Sequence, residues 1–269
     1  MRGSPTPPAP PRAAGSCAAT RQRFAIAIGL LGVAGLAVTA PAQTPPAAPV
    51  IARTVVAGTK LASLGNTPLY FRAVSVSIPP GQKISFSPRP NGILYQLSGS
   101  TEVSAGEPKT ITGGGGVLTA GATTASLTAG SGEQSTLLYF MLVPQEALDQ
   151  PVAAAPATVS ELYRTAAPLP ELKPGSYDFN LTRVTFPPGM PSNPPHHRSG
   201  AALYYIVSGV GANTVNGKTA DRGPGSLIYE PFGLVHQWGN PGSEPLTFLA
   251  FNINPEGVPA VVLETPTRP

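Results

Sequence analysis

The sequence predicts an all-β chain that contains two β-barrels or jelly rolls. Three observations predict this fold class: 30 Gly and 34 Pro in 269 residues, short alternating apolar runs, and an internal duplication. Frequent Gly and Pro disfavour long helices, and a chain of this length can bury a substantial core. Several short strands separated by Gly, Pro and Asn are typical of barrels, which close or protect the edges of their sheets.

The duplication consists of three pairs of matching segments in the same order. Residues 71–81 (FRAVSVSIPPG) and 179–189 (FNLTRVTFPPG) both alternate and end in Pro-Pro-Gly, at an offset of 108. Two further pairs follow at offsets of 110 and 111: ILYQLSG at 93–99 with LYYIVSG at 203–209, and LYFMLVP at 138–144 with LAFNINP at 249–255. Alternation indicates strands, and three ordered matches indicate a repeated unit.

These matches and the composition divide the chain into five predicted parts. They are a signal peptide over 1–42, a linker over 43–56, a degenerate barrel over 57–145, a second linker over 146–168 and a barrel with the candidate site over 169–269. The first barrel contains none of the three histidines of the chain. We therefore expect it to act as a structural partner of the second barrel.

The excess positive charge lies in the leader. The formal charge is +4, but residues 1–42 hold four Arg and no acidic residue, so the other 13 basic residues match the 13 acidic ones. A chain without a basic stripe lacks the electrostatic footprint that binds phosphate backbones. Nucleic acid is therefore not an expected partner.

The leader has the order of a secretory signal. Arg21 and Arg23 precede an apolar run of 16 residues, and Ala-Pro-Ala then leads to a cleavage site expected before Gln43. The alternative is an uncleaved anchor, although a membrane span needs about 20 residues. We expect an exported protein, periplasmic or secreted, that has no membrane attachment after cleavage. The single cysteine, Cys17, lies upstream of this site, so the mature chain would lack thiols.

A sixteen-residue segment of the second copy, GSLIYEPFGLVHQWGN, carries the spacing G-x5-P-x-G-x2-H-x3-N. Its five matched positions are Gly225, Pro231, Gly233, His236 and Asn240. Pro and the two Gly residues permit a turn and a bend that would direct His236 into a barrel. The pattern resembles the second motif of the cupin superfamily. This resemblance implies a cupin-type β-barrel, and with the duplication it implies a bicupin with a degenerate, histidine-free first half.

The first cupin motif, G-x5-H-x-H-x3-E-x6-G, usually supplies three metal ligands, and the second motif supplies a fourth. The corresponding segment here, HHRSGAALYYIVSG, departs from it. In one register His196 takes the first histidine position, Arg198 the second and Ala202 the glutamate. In a looser register Pro195 and His197 take the two histidine positions. Each register retains one of the three ligands.

The faces of the strand decide which histidines meet. His196 and Arg198 share one face, and His197 takes the other unless a bulge intervenes. If both histidines turn inward, His196, His197 and His236 form a three-nitrogen site for Mn, Fe, Ni, Cu or Zn. If they do not, the pocket is metal-free and its histidines bond the structure or a ligand. Arg198 would repel a cation but would hold a carboxylate bidentately.

Three side chains are predicted to bind ligand: Arg198, Tyr205 and Trp238. Tyr204 and Tyr205 lie on opposite strand faces, so at most one of them meets the ligand. Trp238 is suited either to a ligand platform or to packing inside the barrel. Glu230 would replace the missing carboxylate if it faced the pocket, but we expect it to be an exposed edge charge.

Two functions are compatible with these residues. The first is an exported, metal-binding cupin that acts on a small organic molecule, as a dioxygenase-like oxidoreductase does. The alternative is a metal-free, non-catalytic module that binds a carboxylated or sugar-like compound. The sequence assigns no catalytic residue, and a fold of this kind does not by itself define an activity. A homodimer is the expected assembly.

Overall fold

The computed structural model describes residues 49–89, 91–105, 107–119, 124–169 and 172–265. The predicted signal peptide, Cys17 and the start of the first predicted linker lie outside these ranges. Within them, no helix has the length and apolar character needed to cross a membrane.

The described residues form 19 strands and one short 3-10 helix, Gln145–Ala147. The strands are β1 (Ala52–Leu64), β2 (Leu69–Ile78), β3 (Lys83–Phe86), β4 (Gly92–Ser98), β5 (Ser100–Ser104), β6 (Lys109–Thr112), β7 (Gly116–Leu118), β8 (Ala125–Ala129), β9 (Ser135–Pro144), β10 (Thr158–Arg164), β11 (Gly175–Phe186), β12 (His196–Arg198), β13 (Ala201–Ser208), β14 (Gly211–Val215), β15 (Lys218–Arg222), β16 (Leu227–Glu230), β17 (His236–Gly239), β18 (Leu246–Pro255) and β19 (Val261–Leu263).

These strands form two barrels of two sheets each. The N-terminal barrel contains the sheets β10-β2-β9-β4-β7 and β3-β8-β5-β6. The C-terminal barrel contains β1-β11-β18-β13-β16 and β15-β14-β17-β12-β19. The predicted all-β fold with a duplicated barrel is confirmed.

Three apolar clusters hold the barrels together, one inside each barrel and one between them. Strand alternation explains this arrangement, because both faces of the two central sheets are covered. On β11, Phe179 and Leu181 pack in the cluster between the barrels, whereas Val184 and Phe186 pack inside the C-terminal barrel. Edge-to-face aromatic contacts stabilise the cluster between the barrels: the ring centroids of Phe179 and Phe251 are 5.0 Å apart.

The two barrels exchange their leading strands. β1 precedes the N-terminal barrel but pairs with β11 of the C-terminal barrel, from Ala52 opposite Thr185 onwards. β10 in turn pairs with β2 of the N-terminal barrel. β1 begins inside the first segment predicted as a linker, and β10 lies inside the second. Both are edge strands with many exposed residues, so neither has the buried apolar alternation by which strands are predicted.

Candidate functional site

The bend of the GSLIYEPFGLVHQWGN segment directs His236 into the C-terminal barrel. Gly233 has a φ of 68°, a left-handed conformation that favours glycine. His236 begins β17, is 1% exposed and pairs directly with His196 on β12. The two imidazole centroids are 4.3 Å apart. The structure therefore brings these two predicted site residues together inside the barrel.

Backbone carbonyls fix the orientation of both imidazoles. Nδ1 of His196 lies 2.9 Å from the Pro194 oxygen, and Nδ1 of His236 lies 2.8 Å from the Leu234 oxygen. A ring nitrogen that faces a carbonyl oxygen must donate a proton, so in the neutral rings Nε2 carries the lone pair. Burial lowers the pKa of His196, with a smaller contribution from His236, against the opposing effect of the Pro194 carbonyl. The neutral form of His196 is therefore favoured at pH 7.

His197 does not join them. β12 pairs with β19 in regular register, without a bulge, so His197 takes the opposite strand face. Its Nδ1 lies 2.6 Å from Oε1 of Glu264, just beyond β19. The structure thus does not assemble the three-histidine arrangement, because that arrangement required an irregularity in β12.

Glu230 is buried inside the barrel, with 0% exposure, and the expectation of an exposed edge charge is wrong. Its Oε1 accepts a hydrogen bond of 2.9 Å from Nε1 of Trp238. Its Oε2 lies 3.4 Å from Nε of Arg198 and 3.0 Å from Nε2 of His236. The His236 contact is short but not aligned as a hydrogen bond, and it becomes an ion pair only when Nε2 of His236 is protonated.

The register of β16 explains the burial of Glu230. Glu230 pairs directly with Ala202, which is the position where the first motif has its glutamate. Residues directly opposite each other on paired strands face the same side of a sheet. The carboxylate is therefore supplied by the neighbouring strand, in the same cross-strand row. Ile228, two residues earlier on the same strand face, is also buried. This apolar residue could have indicated from the sequence that Glu230 faces inward.

Arg198 is buried beside this carboxylate. Its guanidinium carbon lies 5.2 Å from the centroid of the Tyr204 ring. Burial lowers the pKa of Arg198, and Glu230 opposes this effect. Within the described ranges, the Arg198 side chain makes one hydrogen bond, from Nε to Glu230, and its Nη atoms make none. The terminal Nη groups, which have four N–H donors, are thus available to a ligand.

A cavity of about 270 Å³ lies between the two sheets of the C-terminal barrel, and His196 and Arg198 line it. The residues that line it change from polar to aromatic along β11 and β18. One end is polar and includes Asn180, Asn252 and Asn254, whereas the other is aromatic and includes Phe186, Tyr204, Trp238 and Phe248. Such a cavity suits a small molecule with one polar and one apolar part.

The predicted ligand-binding residues fall on two sides of the central sheet. Trp238 and Arg198 line the cavity, but Tyr205 does not. Tyr205 lies on the opposite face of β13, where it packs in the cluster between the barrels and burial raises its pKa. Tyr204 takes the cavity face instead. The sequence predicted that Tyr204 and Tyr205 lie on opposite faces of β13. Which of the two faces the cavity depended on the pairing of β13 with β18.

The side chains present do not fit a resident metal centre of three or four ligands. Within the described ranges, no three His, Cys, Asp or Glu side chains are grouped so that they could hold a metal ion. His196 and His236 offer two Nε2 lone pairs, but a cation, Arg198, occupies the position of a further histidine. A guanidinium next to the site opposes the binding of a second positive charge.

The C-terminal barrel carries the similarity to a known family. Residues 182–252 match the family model described as Cupin domain. This range includes the strands that carry His196, Arg198, Glu230 and His236. No curated protein matches the sequence.

Solved structures share the two-barrel fold. A variant of oxalate decarboxylase from Bacillus subtilis has a TM-score of 0.50 and 18% identity, over 74% of this chain and 71% of that chain. A structure of the same enzyme concerned with its Mn(II) centres has a TM-score of 0.48 and 16% identity, over 78% of each chain. Salicylate 1,2-dioxygenase from Pseudaminobacter salicylatoxidans has a TM-score of 0.48 and 12% identity, over 71% of this chain and 75% of that chain. At these identities the similarity concerns the fold alone.

Proposed function

We propose that this chain, whose residues 182–252 match the Cupin domain model, is a cupin that binds a small organic carboxylate in its C-terminal barrel without a resident metal. One observation carries the proposal. Arg198 is only 9% exposed, lines the cavity and has terminal Nη groups without a described hydrogen-bond partner. A buried guanidinium with free donors binds a carboxylate through two parallel hydrogen bonds.

Glu230 supports this role by orienting the guanidinium. It engages Nε of Arg198, so the opposite edge of the fork is directed away from Glu230. The ligand carboxylate would complete the neutralisation of a cavity that has more positive than negative side chains. Nε2 of His196, as an unprotonated acceptor, suits a hydroxyl or amide donor on the same ligand.

The aromatic end of the cavity determines the rest of the ligand. Tyr204, Trp238 and Phe248 form a continuous cluster, with centroid separations of 4.9 to 5.8 Å. Such a surface favours an apolar or ring-containing group over a sugar, because burial of apolar area supplies most of the affinity of small ligands. A neutral sugar would also leave the Nη groups of Arg198 without a charged partner.

The test is a calorimetric titration of the metal-free protein with a panel of small carboxylates and neutral sugars. Arg198→Met retains the length of the side chain and removes its charge. We expect carboxylate binding in the wild type and a loss of at least about tenfold in affinity in the variant, as for truncation of a buried charge pair. Equal affinity of the two proteins, or binding of sugars only, would overturn the proposal.

Metal-dependent chemistry, as in a dioxygenase-like oxidoreductase, is the second candidate. It is favoured by one observation, the carbonyl partners of Nδ1 in both His196 and His236, because metal-bound histidines have such partners. Metal analysis of the protein after growth with Mn, Fe, Ni, Cu and Zn separates the two functions. Stoichiometric metal that is lost in His236→Ala would favour the second and contradict the first.

We also propose that the chain is exported. The support is the basic, apolar and small-residue order of the leader before Gln43. Amino-terminal sequencing of protein from the periplasm or medium should begin at Gln43, whereas an intact leader in the membrane fraction would contradict cleavage.

A further inference from the structure

We infer that Arg53 is a second anion-binding residue of this cavity and that the preferred ligand is a small dicarboxylate. The inference rests on the proposed function, because it assigns a second acidic group to the same ligand. It also assigns a function to the strand exchange between the barrels, which delivers Arg53 to a cavity whose other lining residues lie more than 120 residues later in the sequence.

The register of β1 places Arg53 at the cavity. Arg53 pairs with Val184 of β11, and Val184 pairs with Phe248 of β18. All three residues line the cavity. Because directly paired residues share a sheet face, the side chain of Arg53 lies on the cavity side of β1. Arg53 is exposed and Arg198 is buried, so the two guanidinium groups mark the mouth and the interior of one cavity.

The charges at this cavity are unbalanced. Arg198 has Glu230 as its partner, whereas Arg53 has no ion pair with any residue in the described ranges. Burial is the main cause that lowers the pKa of Arg198, and Arg53 adds a smaller lowering, as a neighbouring like charge does. Two cations that face one small cavity repel each other, and an anionic ligand that contacts both removes this repulsion.

The surface between the two cations determines the shape of the ligand. Phe248 and Tyr204 line the cavity together with Arg53 and Arg198. Phe248 lies in the same cross-strand row as Arg53, and the Arg198 guanidinium lies over the Tyr204 ring, so a ligand that reaches both guanidinium groups meets an aromatic ring near each. A dicarboxylate with an apolar middle satisfies all of these contacts, whereas a monocarboxylate leaves Arg53 in water.

Matched acid pairs test the inference. Adipate with hexanoate, and succinate with butyrate, differ within each pair in one acidic group at constant carbon number. We expect the wild type to bind the diacid of at least one pair about fivefold more tightly, the upper end of the range for an exposed charge contact. Arg53→Gln should abolish this preference and leave the dissociation constant of the monoacid within about twofold, because exposed charges have small effects at distance.

Arg183→Gln is the matched control. Arg183 pairs with Thr54, the neighbour of Arg53, but faces the other barrel, where its Nη1 lies 3.5 Å from the Gly114 oxygen. This control should keep the diacid preference. Arg53→Lys should retain part of it, because the charge remains while the bidentate fork is lost.

The outcomes separate the inference from the proposed function. If diacids and monoacids bind the wild type equally, or if Arg53→Gln weakens both equally, the role of Arg53 is wrong while the carboxylate site stands. If no carboxylate of either kind binds, the proposed function fails and the inference fails with it.

Discussion

The two barrels share one strand plan but differ in their interiors, since one is filled and the other is hollow. The offset of 111 aligns the inward residues of β9 and β18 as Tyr139 with Ala250, Met141 with Asn252 and Val143 with Asn254. The outward residues, which pack between the barrels, are apolar in both: Leu138, Phe140 and Leu142 with Leu249, Phe251 and Ile253. Three alternate substitutions on one strand therefore distinguish a packed core from a polar, ligand-sized cavity.

Tyr139 shows how the N-terminal barrel is filled. Its hydroxyl lies 3.0 Å from Oγ1 of Thr119 and accepts a hydrogen bond from the Arg89 amide, and burial raises its pKa to about 12. A Cβ on Gly92 would overlap the Tyr139 ring. In the other barrel, Ala202 is aligned with Gly92. The Cβ of Ala202 fits there because Ala250, and not a tyrosine, is aligned with Tyr139. The difference between the two interiors thus depends on residues of two paired strands, β4 and β9 in one barrel and β13 and β18 in the other.

The largest expected effect comes from emptying the filled barrel. Tyr139→Ala should lower the free energy of unfolding by about 3–5 kcal/mol, because it leaves a cavity and removes two buried hydrogen bonds. Urea denaturation measures this change. Ala250→Gly, a smaller deletion at the aligned position beside an existing cavity, is the control and should cost about 1 kcal/mol, the entropic cost of glycine inside a strand. Equal costs would show that the two interiors are packed alike.

The second expected effect compares the buried carboxylate of Glu230 with Thr119 in the other barrel. Glu230 and Thr119 occupy aligned positions, since Glu230 is opposite Ala202 and the Thr119 amide bonds the Gly92 oxygen. Glu230→Ala should cost about 3 kcal/mol, because Arg198 is left as a buried charge without a partner. Thr119→Ala should cost about 1 kcal/mol for a neutral hydrogen bond. Thermal and urea unfolding of both variants would contradict this account if Thr119→Ala were the more damaging.

The smallest expected effect is a dependence on pH. The pKa of His196 is lowered from 6.5 in the folded state, so below pH 6.5 the unfolded chain binds more protons than the folded chain. The stability of the wild type should therefore fall as the pH is lowered from 7 towards 5, and His196→Gln should reduce that slope. Urea denaturation at several pH values checks it, and an unchanged slope would remove His196 as the source.

Local patterns in the sequence predicted the fold and part of the site. The spacing around Pro231 and Gly233 predicted an inward His236, and alternation predicted that His196 and Arg198 share a face. Glu230 and Arg53 were not predicted as site residues, because their positions depend on pairing with Ala202 and Val184 on distant parts of the chain. Strand register and strand exchange are properties of the whole sheet, and a single-strand pattern does not determine them.

Metal-free binding in the hollow barrel is tested by calorimetric titration of chelator-treated wild-type protein and of Ala250→Tyr with adipate. The variant places the ring of the filled barrel into the hollow one. We expect one binding event per chain in the wild type without added metal, and none in the variant. Binding in the wild type only after metal is restored, or equal binding by Ala250→Tyr, would contradict it.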